Sequence, residues 1–155
     1  MTPDTQKDEF LRVRKIESGI VIDHIPQGNS LRVARILGLD ESNQATVSLL
    51  MNVPSSSTGL KDIIKIEGRE LSERELERIA LVAPSATLNV IRGYVVAQKF
   101  KAKLPEVVED VVPCPNPTCI SNKEGRPRLH IREHSPLKLQ CDYCEKVYSE
   151  DEFSF

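Results

Sequence analysis

Two rhythms alternate along the first hundred residues. In RKIESGIVIDHIP, QATVSLLMNVP, KDIIKIEG, ATLNVIRG and YVVAQKFKAKL, β-branched and apolar residues fill short runs bounded by Gly and Pro. Such runs predict strands, the first ending at Pro26 and the last two meeting at Gly93. Between them the spacing changes. In NSLRVARILGLD the apolar residues Leu31, Val33, Ala34 and Leu37 recur at helical intervals, with Asn29 or Ser30 as cap and Gly38 as stop. LSERELERIALVAP is a second helix, opened by a Ser72–Glu75 capping-box pattern and closed before Pro84.

The predicted order is β-α-β-β-α-β-β. It matches a ferredoxin-like split βαβ unit with one added strand: an antiparallel sheet with two helices on one face. After Leu104 the pattern gives way to turns, prolines and all four cysteines of the chain. The sequence therefore predicts an α+β protein in two parts. Residues 1–104 form the sheet-and-helix domain, and residues 105–155 a small zinc-bound β domain. A piece that short buries too little apolar surface to stand alone and is expected to need a metal or disulfides.

The cysteines say which. Cys114 and Cys119 bracket CPNPTC, and Cys141 and Cys144 bracket CDYC, giving C-x4-C-x21-C-x2-C. Four thiolates delivered on two loops suit one tetrahedral structural zinc and leave no open position for catalysis. Disulfides need an oxidising compartment. MTPDTQKDEF has no apolar run of the signal-peptide kind, and no stretch has the length of a membrane helix. The expectation is a soluble, cytoplasmic protein with reduced thiols. HIREH, His130 to His134, fits a metalloprotease pattern that works only on a helix. Alternation between Pro127 and Pro136 predicts a strand instead, which would hold the two imidazoles roughly 13 Å apart.

Net charge is −2 over 155 residues. Beyond Val111, six basic face seven acidic residues. A nucleic-acid binder would carry a basic excess, so a free-standing zinc-ribbon adaptor for nucleic acid is the second reading. Lysines nevertheless collect on the sheet. Lys61 and Lys65 share one strand face, and Lys99, Lys101 and Lys103 alternate with Phe100 and Ala102. They are either a solvated, guarded edge or a phosphate site. Asp23 and His24 end the first strand, and no nucleophile accompanies them.

Taken in order, GIVIDHIP, NVPSSSTGLKDIIKIEG, LVAPSATLNVI, CPNPTCIS and CDYCEK resemble the regulatory chains of aspartate carbamoyltransferase, from about Val13 to Tyr148. The resemblance implies a non-catalytic allosteric subunit of pyrimidine biosynthesis. It implies an N-terminal domain that binds ATP and CTP and forms a homodimer, and a zinc domain that docks onto the catalytic chain. It implies base and ribose contacts at Val13, Ile16, Asp23, Lys65, Asn89, Tyr94 and Val96. Triphosphate contacts would be His24 and Lys99, with Lys61 near both ribose and phosphates. It puts one zinc on Cys114, Cys119, Cys141 and Cys144. It puts the catalytic-chain contact on Asn116, Tyr143, Glu145 and Lys146, so that the insert of CPNPTC projects from the metal. Lys101 and Lys103 keep the reading of a solvated face.

Overall fold

The computed structural model describes residues 15–56, 59–123 and 125–153. Five strands form the first sheet: β1 (Ser18–Pro26), β2 (Val47–Ser55), β3 (Gly59–Glu67), β4 (Thr87–Arg92) and β5 (Val95–Lys101). Their order is β2-β3-β1-β4-β5, every pair antiparallel. The first four follow the ferredoxin-like order, and β5 adds an edge beside β4. Helices α1 (Ser30–Ile36) and α2 (Glu73–Val82) supply the split βαβ crossovers.

Alternation explains the packing. Ile20 and Ile22 of β1, and Ile64 and Ile66 of β3, are fully or nearly fully buried with Val33 and Ile36 of α1 and Ile79 of α2. Their strand neighbours Val21, Asp23, Lys61 and Lys65 face the other way. At Gly19, φ is +143° and a Cβ would stand 2.1 Å from the Ile66 carbonyl oxygen, so only glycine lets β1 and β3 approach there.

The two helices start by different means. Ser72 and Glu75 form the predicted capping box of α2. Glu75 also pairs with Arg69, whose guanidinium donates to the Leu37 carbonyl at 2.6 Å. For α1 the expectation of a local cap by Asn29 or Ser30 is corrected. Asn29 makes no cap bond and donates instead to the Val82 carbonyl. The orphan donors go to Asp62 of β3, fully buried, which accepts from Gly28 N, Ser30 N and Ser30 Oγ. Asp62 also accepts from Asn52 N at the bulge of β2. One carboxylate thus closes the start of α1 and an irregularity of the neighbouring strand.

A second antiparallel sheet, β6-β7-β8-β9, follows: Val107–Glu109, Arg128–His134, Leu137–Cys141 and Val147–Ser149. His130 and His134 lie on β7, a strand as alternation predicted. A separate core gathers Val108, Val112, Leu129, Leu139, Tyr148 and Phe153. Leu81 of α2 belongs to this second core, and Leu104 packs against both. Arg32 of α1 pairs with Glu150 at 3.2 Å, and Arg74 of α2 with Asp110 at 3.3 Å.

Asp62→Ala should destabilise the chain by about 3–5 kcal/mol, because it orphans several buried donors at once. Thermal or urea unfolding checks this. A change below about 1 kcal/mol would show that those donors find other partners.

Candidate functional site

The two cysteine loops converge. Cys114 and Cys119 flank a segment that a 3-10 turn (Ile120–Asn122) closes, while Cys141 ends β8 and Cys144 lies in the turn before β9. All four Sγ atoms lie within 4.8 Å of one another. Cys114 and Cys144 stand 3.8 Å apart, and Cys119 and Cys141 3.7 Å. Four Zn–S bonds of about 2.3 Å in a tetrahedron have edges of about 3.8 Å, so the donor set fits zinc without rearrangement. These separations are far beyond a disulfide bond.

Polar groups brace the sulfurs. The buried Ser121 hydroxyl lies 3.0 Å from Cys119 Sγ, and the Tyr148 hydroxyl 3.5 Å from Cys144 Sγ. The Asn122 side chain accepts from Cys114 N and donates to the Cys114 and Asn116 carbonyls. Burial pushes the Cys114 thiol up to about 12. At Cys144 burial acts in the same sense, but the Tyr148 hydroxyl and the Lys146 amide outweigh it and bring the thiol down to about 6. Metal uptake must therefore displace a proton from Cys114.

Beside the cluster, Asn116 Oδ1 accepts from Thr118 N and Thr118 Oγ1, which folds CPNPTC into a tight turn. Tyr143, Glu145 and Lys146 are exposed on the second loop. The Tyr143 ring lies over Gly125, where a Cβ would come within 3.2 Å of it.

The other constellation lies on the helix-free face of the first sheet. Register aligns it: Val21 faces Lys65 on β3 and Asn89 on β4, and Asn89 faces Lys99 on β5. Lys65, Val21, Asn89 and Lys99 thus form a row across four strands. Asp23, Thr87 and Lys101 form the next row. A cavity of about 320 Å³ above the first row is lined by Lys15, Ile16, Val21, Asp23, Lys65, Asn89, Ile91, Tyr94, Val96 and Lys99. Seven of these are residues the sequence singled out. Lys15, Val21 and Ile91 were not; Val21 and Ile91 stand two positions from Asp23 and Asn89, a signal that strand alternation carries. Val13 lies outside the described residues.

Lys99 also lines a second cavity of about 660 Å³, with His24, Gln27, Ser85, Thr87 and Lys101. Lys101 is exposed, as a solvated face requires, and it flanks this cavity beside Lys99. Lys61 lines neither cavity; its ammonium is 2.9 Å from Asp23 Oδ1. His24 stands at the β1 bulge with φ +57°, its amide donating to Asp23 Oδ1 at 2.6 Å. Gly93 and Tyr94 make a two-residue hairpin turn with φ +60° and +66°. A tyrosine in that region is strained, and its amide holds the Glu17 carbonyl at 3.0 Å, fixing the 15–17 segment against the turn.

Comparison with known proteins agrees with both halves. Residues 11–103 match the family described as aspartate carbamoyltransferase regulatory chain, allosteric domain, and residues 106–154 its metal binding domain. The chain belongs to the aspartate carbamoyltransferase regulatory chains. It is 47% identical over 147 residues to that of Thermococcus kodakarensis, covering 94% of this chain and 97% of the relative. It is 51% identical over 144 residues to that of Pyrococcus horikoshii, covering 92% and 95%. To that of Thermofilum pendens it is 49% identical over 148 residues, covering 94% and 93%.

As an aspartate carbamoyltransferase regulatory chain it is a non-catalytic subunit in pyrimidine biosynthesis and partners catalytic chains. Its cysteine cluster suits one structural zinc, which when bound links the two loops and supplies folding energy rather than chemistry. Among the described residues no helix is long and apolar enough to cross a membrane.

Metal analysis should find one zinc per chain, and Cys114→Ser should lose most of it. Apparent zinc affinity should fall as pH drops from about 8 to about 6, because protons compete for the thiolates. Full occupancy in Cys114→Ser, or affinity independent of pH, would contradict the tetrathiolate site.

Proposed function

We propose that this chain is the effector-sensing subunit of the complex, binding ATP and CTP on residues 1–104 and passing the signal through residues 105–155 to the catalytic chain. The observation that carries this reading is that the two cavities share Lys99 in their walls. The smaller has an apolar rim of Ile16, Val21, Ile91 and Val96, with Asn89, Tyr94 and Lys65 able to hydrogen-bond a base and ribose. The larger offers His24, Lys99 and Lys101 to the phosphates. A nucleoside triphosphate has that division of character, apolar and planar at one end and polyanionic at the other.

Within this reading Asp23 takes the ribose hydroxyls and holds Lys61 close by. The shared phosphates give ATP and CTP common affinity, while Val13, Ile16, Asn89, Tyr94 and Val96 distinguish the bases. Docking onto the catalytic chain falls to Asn116, Tyr143, Glu145 and Lys146 around the metal. The N-terminal domains pair as a homodimer, and the assembly works in the cytoplasm. An effector can regulate only by binding the two states of the assembly unequally.

Lys99→Ala removes a charge-assisted phosphate contact, and both CTP and ATP should bind roughly ten- to a hundredfold more weakly. Changes at Asn89 should instead alter the ratio of the two affinities. Calorimetric titration measures both. Unchanged affinity of Lys99→Ala for both nucleotides would defeat the reading.

A further inference from the structure

Residues 81–87 join two regions with different roles. Leu81 is 1% exposed and clusters with Val108, Leu129 and Tyr148 of the second sheet's core. The next residue, Val82, belongs to the first core. Three residues further on, Ser85 lines the large cavity with His24, Thr87, Lys99 and Lys101.

Two hydrogen bonds tie this segment to the β1–α1 connection. Ser85 Oγ donates to the His24 carbonyl at 3.0 Å, and Asn29 Nδ2 donates to the Val82 carbonyl at 2.7 Å. The end of α2 therefore touches the cavity wall on one side and the zinc-bearing domain on the other. Only three residues lie between Leu81 and Ser85.

A serine hydroxyl has a single proton to donate. Its acceptor here is a neutral carbonyl. A phosphate oxygen held between Lys99 and Lys101 is the stronger acceptor, since hydrogen bonds to ionised groups are shorter and stronger than neutral ones. The two acceptors exclude each other.

We propose that Ser85 is a positioning residue of the effector site, whose hydroxyl switches its hydrogen bond from the His24 carbonyl to the terminal phosphate of a bound nucleoside triphosphate. The exchange releases Ser85 from the β1 bulge, leaves the Asn29–Val82 bond as the remaining tie, and changes how Leu81 seats in the zinc-bearing domain. No covalent bond changes. The proposal rests on the nucleotide reading above and adds to it the link by which occupancy reaches the second domain. It is a two-state element that both sites can bias, as coupling between distant sites requires.

The test uses the holoenzyme assembled with wild-type, Ser85→Ala or Ser85→Thr chains. Calorimetry gives nucleotide affinity, and the ratio of activity with and without saturating CTP or ATP gives the response. Ser85→Ala should shrink that response by roughly two- to thirtyfold, the range of known coupling variants. Its nucleotide affinity should change by less. Ser85→Thr, which keeps the hydroxyl, should restore the response. Cytidine monophosphate, which lacks the terminal phosphate, should act alike on wild type and Ser85→Ala. A wild-type response in Ser85→Ala, or a loss that threonine does not rescue, overturns the switch alone. Failure of the wild type to bind CTP or ATP overturns the switch and the nucleotide reading together.

Discussion

Four sulfur atoms decide whether the last third of this chain has a structure. The β6–β9 sheet is built of strands of three to seven residues. Its core holds Val108, Val112, Leu129, Leu139, Tyr148 and Phe153, with the cysteines themselves completing it. So few apolar side chains do not offset the entropy of ordering some fifty residues, at roughly 1–2 kcal/mol each for the backbone alone. A tetrathiolate metal adds on the order of 10 kcal/mol to what that core supplies. It also fixes the two loops that carry Asn116 on one side and Tyr143 to Lys146 on the other. Surface and stability thus come from the same cluster.

The first domain solves a different problem. Its helices cover one face of the sheet, which leaves Val21, Asp23, Lys65, Asn89 and Lys99 on the other. Antiparallel register then sets them side by side. That face is bordered by irregularities, the bulge at His24 and the strained Tyr94 turn, while the buried Asp62 closes α1 from the covered side. Both irregularities are local departures from regular sheet and border the candidate site, as functional irregularities tend to do.

Much of this was legible in the chain. β-branched runs, the Ser72–Glu75 box, Gly38 and Pro84 delimit elements through local chemistry, and local chemistry is what a sequence displays. The cysteine spacing carried the metal site for the same reason. What escaped was long-range. Asp62 closes a helix 32 residues before it. Leu81 reads as one more apolar residue on α2, and nothing in its spacing tells that it serves the second core. Lys101 joined the cavity wall only once β5 was registered against β4 and the second row of the sheet came into view.

The central claim is that the metal-held domain is what binds the regulatory chain to its catalytic partner. Size-exclusion chromatography of zinc-loaded and metal-stripped chain, each mixed with the catalytic subunit, tests it directly. The zinc-loaded chain should elute with the catalytic subunit. The stripped chain should elute apart while circular dichroism still reports its first domain folded, and zinc should restore the complex. A complex that persists after complete removal of the metal would contradict the account.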